Sequence, residues 1–352
     1  MADRYRDILV VELLGGIGDL LMVLPAVHAL ARRNPGAALR LLTDDPGADL
    51  VRGDPAVTEV LTPRRGRTGC ERAAVVAALA VRRPDLAITT ARYDGIPDLL
   101  AASGARCVTD LWRRPPPDER IGDRYLRILY AEGLVSAEDL SVAPWVRLRP
   151  DELAHGERTI ADLVPPTAAR PPVVFVTDSG MAVKLWPRPR WRRLAVALVR
   201  RGHPVLSVTP VDAAPVDAAV VALPGMTLRQ LAACFRAVAR RGGIVVGGDT
   251  GPVRLAAAAG ARTVGLFGPT LAVRYGVGGG ADLQGLPACR HRLPTRVTEQ
   301  VCWWDARCPL SAAGPACMAD IPVYRVVSAV TRLAESGSTA PGRPGRMRWP
   351  AG

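Results

Sequence analysis

Ile8-Leu9-Val10-Val11-Glu12-Leu13-Leu14-Gly15-Gly16-Ile17-Gly18-Asp19-Leu20-Leu21 is the stretch that decides the fold. Residues 8–13 form a short, mostly apolar run, the composition of a strand buried in a parallel sheet. The run ends in a glycine turn, and apolar residues then recur at helical spacing over residues 19–33. Strand, tight turn and helix together open a βαβ unit. The glycines let the backbone bend sharply and approach a ligand closely. The helix start behind them adds a positive dipole end. Asp19 reads either as an ordinary helix cap or as a general base at the mouth of a cleft.

The same rhythm runs outward from this unit. Strands are expected over 39–43 and 86–90. Residues 141–172 contain Pro144, Pro150, Pro165, Pro166, Pro171 and Pro172 and read as an interdomain linker. The alternation then restarts, with strands over 173–177, 204–208, 244–246 and 263–267. Helices are expected over 190–201, 228–239, 252–259 and 322–334. The expected fold is α/β, with two Rossmann-like doubly wound parallel-sheet domains facing across a cleft, at residues 1–165 and 171–335. The Gly/Ser/Pro/Arg-rich tail 336–352 is expected to be disordered. In such sheets, ligands bind beyond the carboxyl ends of the strands.

A chain of 352 residues has room for two domains, and 49% hydrophobic with 22% charged residues is a globular composition. The net charge of +13 is unevenly placed: residues 1–150 carry 21 bases against 20 acids, and residues 151–352 carry 25 against 13. A basic second half attracts nucleotide phosphates, nucleic acid or an anionic membrane face, or it is simply a solvated surface. Aromatic residues make up only 5% of the chain, and no nucleic-acid module is visible, so nucleic acid is set aside. The N-terminus mixes acids and bases, and the apolar run after it is broken by Glu12 and Asp19. Neither a signal peptide nor a membrane span is read there, so a cytoplasmic protein is expected, with peripheral membrane contact left open.

Of 46 basic residues only Lys184 is a lysine. A lone lysine in an arginine-rich chain marks a position where a compact, movable charge serves and a planar fork does not. It lies in Ser179-Gly180-Met181-Ala182-Val183-Lys184-Leu185-Trp186-Pro187, between an expected strand and helix, where it can reach a phosphate oxygen. A third stretch is Gly247-Gly248-Asp249-Thr250-Gly251-Pro252-Val253-Arg254-Leu255-Ala256. Here glycines follow a strand, Pro252 suits a first helical turn and Thr250 or Asp249 suits the cap. Free backbone N–H groups at that helix start form an anion site, to which Arg254 adds a cation.

These stretches, in order and spacing, resemble the family 9 glycosyltransferases, the group that includes the lipopolysaccharide heptosyltransferases. The matching elements are Gly18-Asp19-Leu20-Leu21 with Leu24-Pro25-Ala26, then Lys184-Leu185-Trp186-Pro187. They continue with Asp249-Thr250-Gly251-Pro252-Val253-Arg254-Leu255-Ala256-Ala257 and Leu266-Phe267-Gly268-Pro269-Thr270. The resemblance spans about residues 7–333. It implies a GT-B fold, an acceptor-side first domain and a nucleotide-sugar-binding second domain. It further implies metal-independent, inverting transfer from a nucleotide-diphosphate sugar, usually ADP-heptose, to a hydroxyl of a glycan or small-molecule acceptor, with no cofactor. Carried over, Asp19 is the base and Lys184 acts on the donor phosphates. Gly16, Gly18, Asp249, Thr250, Gly251, Pro252 and Arg254 complete the substrate site. Two residues depart from the pattern: Arg254 stands where the family has His, and Glu12 where it commonly has Arg. These departures leave open a catalytically silent sugar-nucleotide-binding module, against which the retention of Asp19 and Lys184 argues.

Cys289, Cys302, Cys308 and Cys317 cluster late, spaced C-x12-C-x5-C-x8-C. No Cys-x-x-Cys pair occurs, so the zinc signature is weak, and packing or a disulfide is expected ahead of zinc or an iron–sulfur cluster. His28, His155, His203 and His291 fall outside every motif and read as ordinary surface or helix residues.

Overall fold

Eleven strands build two all-parallel sheets in the computed structural model, which describes residues 5–64, 66, 68–208 and 216–336. The first sheet has the order β3-β2-β1-β4-β5. Its strands are β1 (Asp7–Val11), β2 (Ala38–Leu42), β3 (Glu59–Leu61), β4 (Leu86–Thr89) and β5 (Arg106–Val108). The second has the order β11-β10-β9-β6-β7-β8. It contains β6 (Val173–Val176), β7 (Val205–Val208), β8 (Val221–Ala222), β9 (Ile244–Gly248), β10 (Arg262–Phe267) and β11 (Ala281–Gln284). The helices of the first half are α1 (Ile17–Arg33), α2 (Ala48–Val51), α3 (Cys70–Val81), α4 (Ile96–Ala102) and α5 (Ile121–Ala131). Those that follow are α6 (Pro150–Leu163), α7 (Arg188–Val199), α8 (Leu228–Arg240), α9 (Gly251–Ala258), α10 (Ala272–Tyr275), α11 (Ala316–Ala319) and α12 (Val323–Ser336).

The central strands are apolar on both faces because helices cover both. All five residues of β1 are buried, as are all four of β6. Each sheet reverses its winding once, between β1 and β4 and between β6 and β9. The loops leaving β1, β6 and β9 carry the glycine turn, Lys184 and Asp249 respectively, so all three motifs sit at switch points, where α/β sheets bind ligands.

The segment read as a linker contains a 14-residue helix, α6. Helix α6 falls within the range expected for the first domain, yet it packs on α8 beside the second sheet. A Cβ on Gly156 would lie 2.4 Å from the Ala233 carbonyl carbon, so glycine lets the two helices touch backbone to backbone. Prolines favour α6 instead of breaking it, because Pro150 occupies its first turn, where no N–H is needed. Two of the four histidines are buried and not on the surface. His28 on α1 is buried, 3.0 Å from Asp54 and stacked on Trp145, and His203 is buried against the Pro171 carbonyl. The tail expected to be disordered lies outside the described residues beyond Ser336.

Candidate active site

The first sheet contributes the glycine turn. Gly15 takes a left-handed φ of 87°, which bends the chain off β1. The Gly16 carbonyl then accepts the N–H groups of Asp19 (3.0 Å) and Leu20 (3.2 Å), starting α1. The Asp19 carboxylate folds back over this turn, its Oδ2 2.7 Å from the place a Cβ on Gly16 would take. Only glycine leaves room for it. Burial pushes the Asp19 carboxyl up to about 6, a rise that the charges of Arg254 and Lys184 restrain.

Glu12, just past β1, is 1% exposed. Its Oε1 accepts the Leu14 N–H at 3.0 Å, and its Oε2 accepts the Thr43 hydroxyl at 3.3 Å. Burial first, then the negative charge of Asp19, pushes its carboxyl up to about 8. Glu12 is therefore protonated near neutral pH, and it stands beside Asp19 without adding a charge.

The second sheet contributes the cations. Lys184 ends a 3₁₀ turn (Ala182–Lys184) between β6 and α7. Its Nζ donates to the Asp249 carbonyl (3.2 Å) and to Asp249 Oδ2 (3.1 Å), and lies 5.2 Å from the Trp303 ring centre. Arg254 donates to the other carboxylate oxygen, Oδ1, at 2.7 Å, and to the Tyr275 carbonyl. Burial alone would raise the Asp249 carboxyl, but Lys184 and Arg254 overcome it and hold the group below its ordinary value. Asp249 thus orients both cations.

Helix α9 begins at this point. Thr250 is its N-cap residue but makes no side-chain cap, and its Oγ1 is buried without a partner. Pro252 has no N–H to offer, so Gly251 and Val253 supply the free first-turn donors. The starts of α1 and α9 meet. A Cβ on Gly251 would fall 2.1 Å from Ile17 Cγ1, and one on Gly18 would fall 3.3 Å from Arg254 Cδ. Glycine at both positions brings Asp19 and Arg254 together.

Every site residue expected from the sequence lies at this junction. What sequence reading missed is the pairing: Asp249 joined to both cations, Trp303 beside Lys184, and Glu12 uncharged. A cysteine next to two tryptophans, at 302–304, was the signal that could have pointed to Trp303. All seven cysteines are free thiols, so the disulfide alternative is not formed. Cys302 and Cys317 are buried in packing. Among the described residues no group of three or more His, Cys, Asp or Glu side chains is arranged to hold a metal ion. No helix among them is long and apolar enough to cross a membrane.

Residues 147–286 match the model of glycosyltransferase family 9 (heptosyltransferase). By this match the second half of the chain is similar to the family 9 glycosyltransferases. Solved structures share the architecture of this chain over nearly its whole length. A family 9 glycosyl transferase from Veillonella parvula superposes with a TM-score of 0.75 at 15% identity, covering 96% of this chain and 99% of its own. The E. coli ADP-heptose lipopolysaccharide heptosyltransferase II gives 0.67 at 17% identity, covering 95% and 100%. The E. coli heptosyltransferase WaaC, solved with ADP, gives 0.62 at 20% identity, covering 93% and 100%. At these identities the likeness establishes the GT-B fold. No curated protein sequence matches this chain.

Proposed function

We propose that this protein is a glycosyltransferase that transfers a sugar, a heptose from ADP-heptose, to a hydroxyl of a glycan or small-molecule acceptor, with inversion at the anomeric carbon. The observation that carries the reading is the meeting of a buried carboxylate from one sheet with two cations and a helix start from the other. Heptosyltransferases of the same fold have been solved with ADP and with an ADP-heptose analogue, which supports the donor class.

In this reading the donor diphosphate lies against the first-turn N–H groups of α9 and the orphan Thr250 hydroxyl. The acceptor enters by the cavity of about 650 Å3 beside the glycine turn, lined by Leu13, Leu14, Gly15, Asp44 and Tyr93. Its hydroxyl attacks the anomeric carbon from the face opposite the diphosphate, and Asp19 accepts the proton. A single in-line displacement inverts the configuration. Negative charge grows on the leaving diphosphate, where Lys184, Arg254 and the α9 dipole offset it better than in the ground state.

The test is a thermal-shift screen across ADP-, GDP-, UDP- and dTDP-sugars, followed by measurement of nucleotide release with candidate acceptors. A shift with ADP-heptose and acceptor-dependent release of ADP are expected. A response to another base alone overturns the donor. Donor binding with no transfer to any acceptor makes the chain a binding module.

A further inference from the structure

A second cavity, of about 470 Å3, lies between the two halves and shares only Arg254 with the proposed donor site. It is lined by Leu21, Met22 and Pro25 of α1 and by Ala257, Gly260 and Ala261 at the far end of α9. These residues come later in each element than Asp19 and Gly251, and Asp19, Lys184, Asp249 and Thr250 do not line it. The volume is that of a small-molecule site.

Its charge is one-sided. Arg120, Arg254, Arg262 and Arg274 line it against a single acid, Asp123. Two of the arginines are committed elsewhere: Arg254 to Asp249, and Arg262 to the carbonyls of Leu333 and Gly242. Arg274 is not. It is 1% exposed and donates to the backbone carbonyls of Pro116 (2.8 Å) and Glu119 (3.5 Å). It lies 5.9 Å from the ring centres of Trp112 and Tyr275. Its Nε is buried with no partner, and among the described residues no carboxylate forms an ion pair with it. A buried guanidinium held only by neutral groups is costly unless an anion completes it.

Arg120 approaches from the other half. It precedes α5, whose first turn also lines the cavity and whose N-cap makes no side-chain hydrogen bond. Its Nη1 rests 2.9 Å from where a Cβ on Gly278 would stand, in a loop where Gly278 and Gly279 take left-handed φ values. Asp282 nearby feels the positive charge of Arg120.

We propose that this cavity is a second anion site, distinct from the donor site. It takes a small organic phosphate or carboxylate. The anionic group is met by Arg120 and Arg274, and the apolar part lies on Leu21, Met22 and Val142. Because Arg120 belongs to the first half of the chain and Arg274 to the second, the occupant bridges the two and holds their interface closed.

The test is calorimetric titration with phenyl phosphate, benzoate and inorganic phosphate as separate probes. Phenyl phosphate or benzoate is expected to bind the wild-type protein and Lys184→Ala equally. Arg120→Ala, an exposed change, is expected to weaken binding about tenfold or more through loss of a charge-assisted contact. Ala257→Phe, which fills the cavity, is expected to abolish it while the thermal melt stays cooperative. Equal affinity in Arg120→Ala and wild type overturns the proposal. So does loss of binding in Lys184→Ala, or no organic-anion binding at millimolar concentration. None of these readouts depends on sugar transfer, so the proposed activity fails or stands separately.

Discussion

Lys184 and Arg254 hold the same carboxylate, that of Asp249, one on each oxygen, at 3.1 and 2.7 Å. The three groups come from the turn after β6 and from the β9–α9 junction of the second sheet and form a net cation beside Asp19 of the first. A carboxylate that fixes two cations leaves them pre-oriented, so little reorganisation accompanies charge growth on a leaving group.

Removing that carboxylate strands two cations at a buried site. Asp249→Asn is expected to cost on the order of 3 kcal/mol of stability, as breaking a buried pair does. Urea unfolding measures it. An unchanged midpoint would show that solvent, and not Asp249, satisfies the cations.

The base assignment makes a pH prediction with a definite sign. The Asp19 carboxyl sits at about 6, and only its ionised form accepts a proton. The value of kcat/KM is therefore expected to rise with pH through about 6 and then level. Asp19→Asn should bind donor and fail to transfer. Near-normal turnover in that variant would remove Asp19 from the mechanism.

Glu12 gives a stability prediction. Its carboxyl is raised from 4.5 to about 8 in the folded chain, so between those values the folded state binds more protons than the unfolded state. Its contribution to stability is then lost as pH rises across that window, at most about 1.4 kcal/mol per pH unit. Glu12→Gln, neutral at every pH, is expected to match wild type near pH 5 and exceed it near pH 9. Parallel stability–pH curves for the two proteins would refute a protonated Glu12.

Close approach of α1 and α9 depends on Gly251. In Gly251→Ala the new methyl meets Ile17 at 2.1 Å, which overpacks the contact by about 1–3 kcal/mol and pushes the two helix starts apart. Transfer is expected to fall further than stability, because the displacement separates Asp19 from the cations. Comparison of kcat with the thermal midpoint tests this. Full activity would show that the junction tolerates widening.

The lysine itself should not be replaceable. Lys184→Arg puts a wide fork where a compact ammonium fits between Asp249 and the Trp303 ring, and it is expected to weaken donor affinity nearly as much as Lys184→Ala. Nucleotide titration of both variants decides the matter, and full rescue by arginine would make the lysine incidental.

By itself the sequence determined the parallel α/β architecture, the strand-turn-helix placement of the three motifs and the position of the lone lysine, Lys184, between a strand and a helix. Each of those follows from neighbours in the chain: apolar periodicity, a glycine turn, or a proline in a first helical turn. It did not show α6 within residues 141–172, because prolines that mark a linker also begin a helix, and α6 is stabilised by α8, remote in sequence. Only the tertiary structure decided that His28 is buried, that Glu12 is protonated and that Asp249 is shared by Lys184 and Arg254. It likewise decided that Arg274 lies buried without an ion-pair partner. Charge state and pairing depend on which groups lose water together, and that is set when residues 12, 19, 184, 249 and 254 converge at the closed junction of two sheets.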